Sequence, residues 1–172
     1  MMSDLKTLVS CRICGGEFSN ETLVLKDSPL ANELNLNRGE ALLTEKFPLQ
    51  VVMCSTCKHF QLKHIVSPDR LFSNYIYKSG TSSFFREHFK SFARVIRDTK
   101  EGYQLKVFEI GSNDGILLDE LKRLGINCVG LEPSHELVKE CLEKGLDVIH
   151  GFLTRDLVSE LNKSGIVFDV VV

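Results

Sequence analysis

"VFEIGSNDGILL", residues 107–118, decides the fold. An apolar strand runs into a glycine turn, and a helix follows, as in the opening of a nucleotide-binding βαβ unit. A dinucleotide fingerprint, G-x-G-x-x-G, started at Gly111 puts Asn113 and Ile116 where its second and third glycines belong. Another pattern fits: an acidic residue, one spacer, then Gly-x-x-x-Gly, supplied by Glu109, Gly111 and Gly115. A pyrophosphate cradle wants backbone N–H groups and no nearby carboxylate. A sulfonium cofactor carries an ammonium group and no phosphate, so an acidic turn suits it. The next strand ends in Gly130-Leu131-Glu132-Pro133, with Glu132 17 residues after Gly115. A carboxylate there can accept both ribose hydroxyls of an adenosine without phosphates. The competing reading of Glu132 is an ordinary acid at a strand end. His150-Gly151-Phe152 closes the third strand, where adenine would lie, and packing explains it equally well.

Around this stretch the pattern alternates. Strands are expected at 106–110, 128–131, 147–150 and 167–172, and helices at 115–124, 134–144 and 154–164. Such alternation indicates parallel βαβ units, with ligands beyond the carboxyl ends of the strands.

Four of the six cysteines form two knuckles, Cys11-Arg-Ile-Cys14 and Cys54-Ser-Thr-Cys57. Each C-x-x-C turn presents two thiolates from one loop, and two facing loops build a tetrahedral site suited to Zn²⁺. Gly15-Gly16 lets the backbone fold over the sulfurs. The 39 residues between the knuckles exceed a minimal ribbon, so an insertion lies there. Disulfides fit poorly without secretion, and a redox C-x-x-C leaves the second knuckle unexplained. His59 and His64 are read as structural or solvated, and Cys128 and Cys141 as small buried hydrophobes. Residues 1–66 are thus expected to form a zinc-binding β module, with strands at 47–53 and 60–66, stabilised largely by its metal.

Residues 67–103 are expected to form a linker and an amphipathic helix. Ser79 to Ser83 is a polar turn able to cap the helix. Phe84, Phe85, Phe89, Phe92, Val95 and Ile96 form a stripe expected to pack on the following sheet. Tyr75 and Tyr77, two apart, point the same way if extended. They can line a pocket mouth, although packing is the commoner role of such aromatics. Residues 104–172 are then the start of the α/β domain.

The chain of 172 residues is 43% hydrophobic and 26% charged, with net charge −2, which favours a globular protein over a polyanion binder. Up to residue 66 there are seven Lys/Arg and seven Asp/Glu, so the zinc module carries no basic excess. No apolar run approaches the roughly 18 residues of a membrane span. The N-terminus lacks the layout of a signal peptide. The expectation is a cytoplasmic protein binding neither nucleic acid nor membrane.

CRICGG, SPLAN, CSTCKHFQL, LFSNYIYKSGTSSFFREHF, EIGSNDGILL and GLEPS occur in this order. Together they resemble the zinc-containing, S-adenosylmethionine-dependent C-methyltransferases that act on nucleotide-linked keto-deoxysugars. The resemblance implies a four-cysteine zinc-binding β module ahead of a Rossmann-like class I methyltransferase half-sheet containing the first four parallel strands. It implies two cofactors, Zn²⁺ and S-adenosylmethionine, and a nucleotide-sugar substrate. Tyr75 is then placed in the active site, and Glu109, Gly111, Asn113, Gly115, Glu132 and Tyr77 at the cofactor. Carbon methylation needs an enolate, so a base must remove a proton α to the sugar ketone. A phenol titrates near 10, so Tyr75 would donate rather than abstract. The family's glutamate–histidine base would lie beyond Val172. The sequence thus reads as the N-terminal piece of a longer enzyme, unable to methylate a sugar alone. Two alternatives are a zinc-ribbon RNA methyltransferase and a non-catalytic scaffold that binds zinc and retains a cofactor turn.

Overall fold

The computed structural model describes residues 4–73, 75–99 and 104–172. They divide into two compact units, residues 1–71 and 72–172. The boundary expected at residue 103 lies outside the described residues.

The first unit is built of short antiparallel pairs. β1 (Leu5–Thr7) pairs with β5 (His64–Val66), and β2 (Phe18–Ser28), β3 (Phe47–Cys54) and β4 (Phe60–Leu62) form a second sheet in that order. The single strand expected over 60–66 is therefore two strands in different sheets. The chain changes partners at Lys63, whose N–H donates to Gln50 O while its carbonyl accepts from Leu8 N–H. The insertion between the knuckles holds β2, a short helix α1 (Arg38–Leu43) and most of β3. α1 starts at Asn37, whose side chain caps the Glu40 N–H. Arg70, in α2 (Pro68–Phe72), pairs with Glu33 at 2.7 Å, Glu45 at 2.9 Å and Asp4 at 3.4 Å. These pairs tie the ends and the middle of the small unit together.

The second unit opens with an extended stretch and a 3₁₀ turn at Ser79–Thr81. Then comes α3 (Ser83–Asp98), capped by the Ser82 side chain on Phe85 N–H. Its buried face differs from the expected stripe. Phe89, Phe92, Ala93 and Ile96 pack with Val107, Leu117 and Leu121, whereas Phe84 and Val95 are 77% and 60% exposed and Phe85 is also exposed. The reason is Ala93, left out of the expected stripe. Fully buried and small, it belongs with 89, 92 and 96 at i, i+3, i+4 and i+7 spacing, which turns Val95 away from the buried face.

Four parallel strands follow: β6 (Lys106–Ile110), β7 (Asn127–Glu132), β8 (Val148–His150) and β9 (Val170–Val171), in the spatial order β8-β7-β6-β9. Helices α4 (Ile116–Arg123), α5 (His135–Glu143) and α6 (Arg155–Lys163) connect them. The order reverses beside β6, the switch point where Rossmann-like sheets bind ligands. The last strand is shorter than the expected 167–172. Asp169 precedes it and turns its carboxylate to Lys106 N–H at 3.0 Å, fixing the register of β9 on β6.

Candidate functional site

The metal centre comes directly from the two knuckles. Sγ atoms of Cys11, Cys14, Cys54 and Cys57 all lie within 4.8 Å of one another. Cys11–Cys57 and Cys14–Cys54 are 3.7 and 3.5 Å apart. Zinc–sulfur bonds of about 2.3 Å in a tetrahedron require sulfurs about 3.8 Å apart, so the set fits Zn²⁺. Backbone N–H groups of Ile13 and Cys57 point at Cys11 Sγ and Cys54 Sγ. The Cys57 amide, with that of Thr56, pulls the Cys54 thiol down to about 6, toward the thiolate that metal needs. Gly16 admits no side chain, because a Cβ there would stand 2.6 Å from Thr56 Oγ1 and 3.3 Å from Cys14 Sγ. Neither nearby histidine supplies a ligand: the His59 carbonyl accepts Cys54 N–H, and the His64 ring contacts Thr7 and Gln50.

The second site is a cleft of about 310 Å³ at the carboxyl ends of β6, β7 and β8. Ile110 and Gly111, Leu131 to Pro133, and Gly151 to Leu153 form its walls, and Phe72, at the end of α2, and Tyr75, in the stretch that follows, face it. The three strand ends therefore converge with Tyr75, as their places in the sequence suggest. Tyr77 does not line the cleft; its ring packs edge-on to Tyr75 at 6.4 Å.

The turn between β6 and α4 is left-handed three times, at Gly111 (φ +77°), Asn113 (φ +51°) and Gly115 (φ +76°). Gly111 lines the cleft and has open space where a Cβ would stand. Gly115 serves packing instead. A Cβ there would lie 2.5 Å from Leu146 Cδ1 and 2.9 Å from Cys141 Sγ. Cys128 and Cys141 are, as expected, part of the packing, and the Cys141 thiol also donates to Asn113 O.

Three carboxylates surround this turn. Glu132, 4% exposed, accepts Asn113 N–H on Oε2 at 2.8 Å and Ser134 N–H on Oε1 at 2.9 Å. Each oxygen retains a lone pair for a further donor. Asp114 Oδ2 accepts Gly80 N–H at 2.9 Å. Glu109 is buried in β6, and burial, then Asp114 and Glu132, push its carboxyl up to about 8. Among the described residues, Glu109 Oε2, Ser112 Oγ and Asp114 Oδ1 are buried without a hydrogen-bond partner. Such a group of acids and unsatisfied oxygens suits a cationic, hydroxyl-rich ligand and repels an anionic one.

Asn113, expected at the cofactor, borders the cleft but turns its side chain elsewhere. Its Oδ1 accepts Ser79 N–H at 2.9 Å, and its Nδ2 donates to Tyr77 O at 3.0 Å. Lys78, between them, pairs with Glu140 of α5. His150, at the end of β8, hydrogen-bonds Pro133 O and meets the His135 ring edge-on.

A thiolate cluster is followed along the chain by a parallel sheet with an acidic glycine turn. A family described as a putative zinc binding domain (Methyltransf_13) matches residues 11–72. Through residues 86–172 the chain belongs to the family described as methionine biosynthesis protein MetW. It is 28% identical over 165 residues to the C-methyltransferase NovU of Streptomyces niveus, covering 94% of this chain and 39% of that protein. Two solved methyltransferases share parts of the chain. One, an S-adenosylmethionine-dependent enzyme from Archaeoglobus fulgidus, has 26% identity, covering 45% of this chain and 33% of the other, with a TM-score of 0.34. The plantazolicin methyltransferase BpumL, solved with S-adenosylhomocysteine, has 16% identity, covering 51% and 34%, with a TM-score of 0.38.

Proposed function

We propose that this protein is an S-adenosylmethionine-dependent C-methyltransferase acting on a nucleotide-linked 4-keto-deoxyhexose. The observation that carries the cofactor is the buried trio Glu109, Asp114 and Glu132 around a turn left open at Gly111. The bound cofactor supplies an electrophilic methyl group on a sulfonium centre. Glu132 would hold the ribose hydroxyls with its remaining lone pairs, and the Gly111 backbone would allow close approach. Asp114 and Glu109, buried behind the turn and not on the cleft wall, would contribute negative potential toward the ammonium group, Glu109 once ionised. Tyr75 would present its phenol O–H as a donor to the substrate's oxygen as negative charge develops there.

The substrate class rests on the NovU likeness. The chain spans 39% of that protein's length, so these residues are assigned metal and cofactor binding, and transfer belongs to the whole enzyme. The test is calorimetric titration with S-adenosylhomocysteine, then incubation of the enzyme with methyl-labelled cofactor and a nucleotide-linked 4-keto-deoxyhexose. Label fixed on a sugar carbon supports the proposal. Absence of binding to the chain overturns the cofactor assignment, and label in structured RNA alone overturns the substrate.

A further inference from the structure

The cofactor turn uses its side chains away from the cleft it borders. Asn113 reaches both sides of Lys78, accepting Ser79 N–H and donating to Tyr77 O. Asp114 accepts the next amide, Gly80 N–H. Two adjacent side chains thus satisfy three backbone groups of a stretch that has no sheet partner of its own. Gly80 is shaped for this contact: a Cβ there would stand 2.5 Å from Asp114 Oδ2. Arg86 bonds the Gly80 carbonyl, and Lys78 pairs with Glu140, so the stretch is held on both flanks. Tyr75, three residues before Lys78, enters the cleft wall from this anchored stretch.

On the other side, the Asn113 backbone N–H is held by Glu132 Oε2, in the cleft. Asn113 also sits at φ +51°, a left-handed conformation that asparagine tolerates better than most residues. Its backbone conformation directs the amide side chain outward to the tyrosine stretch. A ligand engaging Glu132 therefore acts on the same turn that fixes Tyr75.

We propose that Asn113 and Asp114 are positioning residues, which attach the Tyr75–Gly80 stretch to the cofactor turn and so set where Tyr75 stands. The proposal builds on the assignment of the cleft to the cofactor, but its first test needs no ligand.

Hydrogen exchange resolved at Ser79 and Gly80 is measured in the 172-residue chain, alongside the ¹⁹F resonance of fluorotyrosine at Tyr75. Asn113→Gly keeps the left-handed backbone and removes the side chain. Gly80→Ala leaves the turn intact and forces Asp114 away from the other side. Exchange at Ser79 should quicken about tenfold in Asn113→Gly, and at Gly80 by a similar factor in Gly80→Ala, as expected for loss of one hydrogen bond. Both variants should move the Tyr75 resonance in the same direction. Unchanged exchange at both amides, or a Tyr75 resonance moved by neither variant, overturns the proposal. S-adenosylhomocysteine should slow exchange at both amides in the unaltered chain. If it fails to bind while the variants still shift Tyr75, the cofactor assignment fails and the positioning role stands. Binding that leaves both amides and Tyr75 unchanged shows that the turn and the tyrosine are not coupled, and overturns it.

Discussion

Asn113 donates its backbone N–H to Glu132 Oε2 at 2.8 Å across 19 residues of chain, joining the first strand's turn to the end of the second. The bond makes the acid expected to receive ribose also a structural part of the turn. Its mutation therefore has two effects, which can be separated.

Glu132→Gln keeps the shape and leaves one acceptor oxygen for two backbone donors. The amide that loses its partner costs about 1–3 kcal/mol. Binding of S-adenosylhomocysteine should fall at least about tenfold, equivalent to about 1.4 kcal/mol. Titration calorimetry reads the affinity and a urea midpoint reads the stability. Lower stability with unchanged affinity would remove Glu132 from the ribose site.

Glu109 makes the ligand-free chain sensitive to pH. Its carboxyl is raised from 4.5 to about 8, chiefly by burial and then by Asp114 and Glu132. The folded state therefore binds a proton more tightly than the unfolded state. The associated stability is fully present below about 4.5 and is lost as pH rises through about 8, by up to about 1.4 kcal/mol per pH unit. Lys144 and Lys78 also face the turn, Lys144 donating to the Asp114 carbonyl at 2.7 Å and Lys78 lying near the Asp114 carboxylate. Urea midpoints between about pH 6 and 8 should decline more steeply for the unaltered chain than for Glu109→Gln. Equal slopes would show that Glu109 is ionised throughout. A cationic ligand should release this proton, so the binding heat near neutral pH should vary with the ionisation enthalpy of the buffer.

The thiolate cluster predicts one tightly held zinc per chain. Cys54→Ser removes a buried ligand whose sulfur meets Cys14 Sγ at 3.5 Å and a backbone amide. Zinc content should fall sharply, and the first unit, with few buried side chains, should lose its cooperative melting. Cobalt substituted for zinc should give the visible spectrum of a tetrahedral tetrathiolate. A normal zinc content in Cys54→Ser would mean that the metal lies elsewhere.

The features legible in the sequence are local. A C-x-x-C pair fixes two ligands within one turn, and a glycine at positive φ announces itself because other residues avoid that conformation. The parallel alternation is equally visible, since each helix and strand carries its own period. Long-range partners are hidden. Phe60 to Val66 is uniform enough for one strand, and only Gln50 and Leu8, remote in sequence, show why it divides at Lys63. Asn113 reads as a turn residue beside a ligand, and no local pattern reports that its amide is bound to Tyr77, 36 positions away. Ala93 gives a weak hydrophobic signal because it is small, although close helix packing depends on it.

The two glycines of the acidic turn should respond differently to the same substitution. Gly111 and Gly115 have φ of +77° and +76°, so alanine at either costs about 1–2 kcal/mol in backbone conformation. At Gly111 nothing lies within 4 Å of the added methyl, and the cost should stop there. The methyl would instead narrow the cleft, so ligand affinity should fall more than stability. At Gly115 the methyl meets Leu146 and Cys141 at 2.5 and 2.9 Å, which adds roughly 1–3 kcal/mol of overpacking. Gly115→Ala should therefore be the less stable variant in urea, whereas Gly111→Ala should bind S-adenosylhomocysteine more weakly than its own stability loss explains. Equal stabilities for the two variants would show that α4 shifts freely on Leu146, and would remove packing as the reason for Gly115.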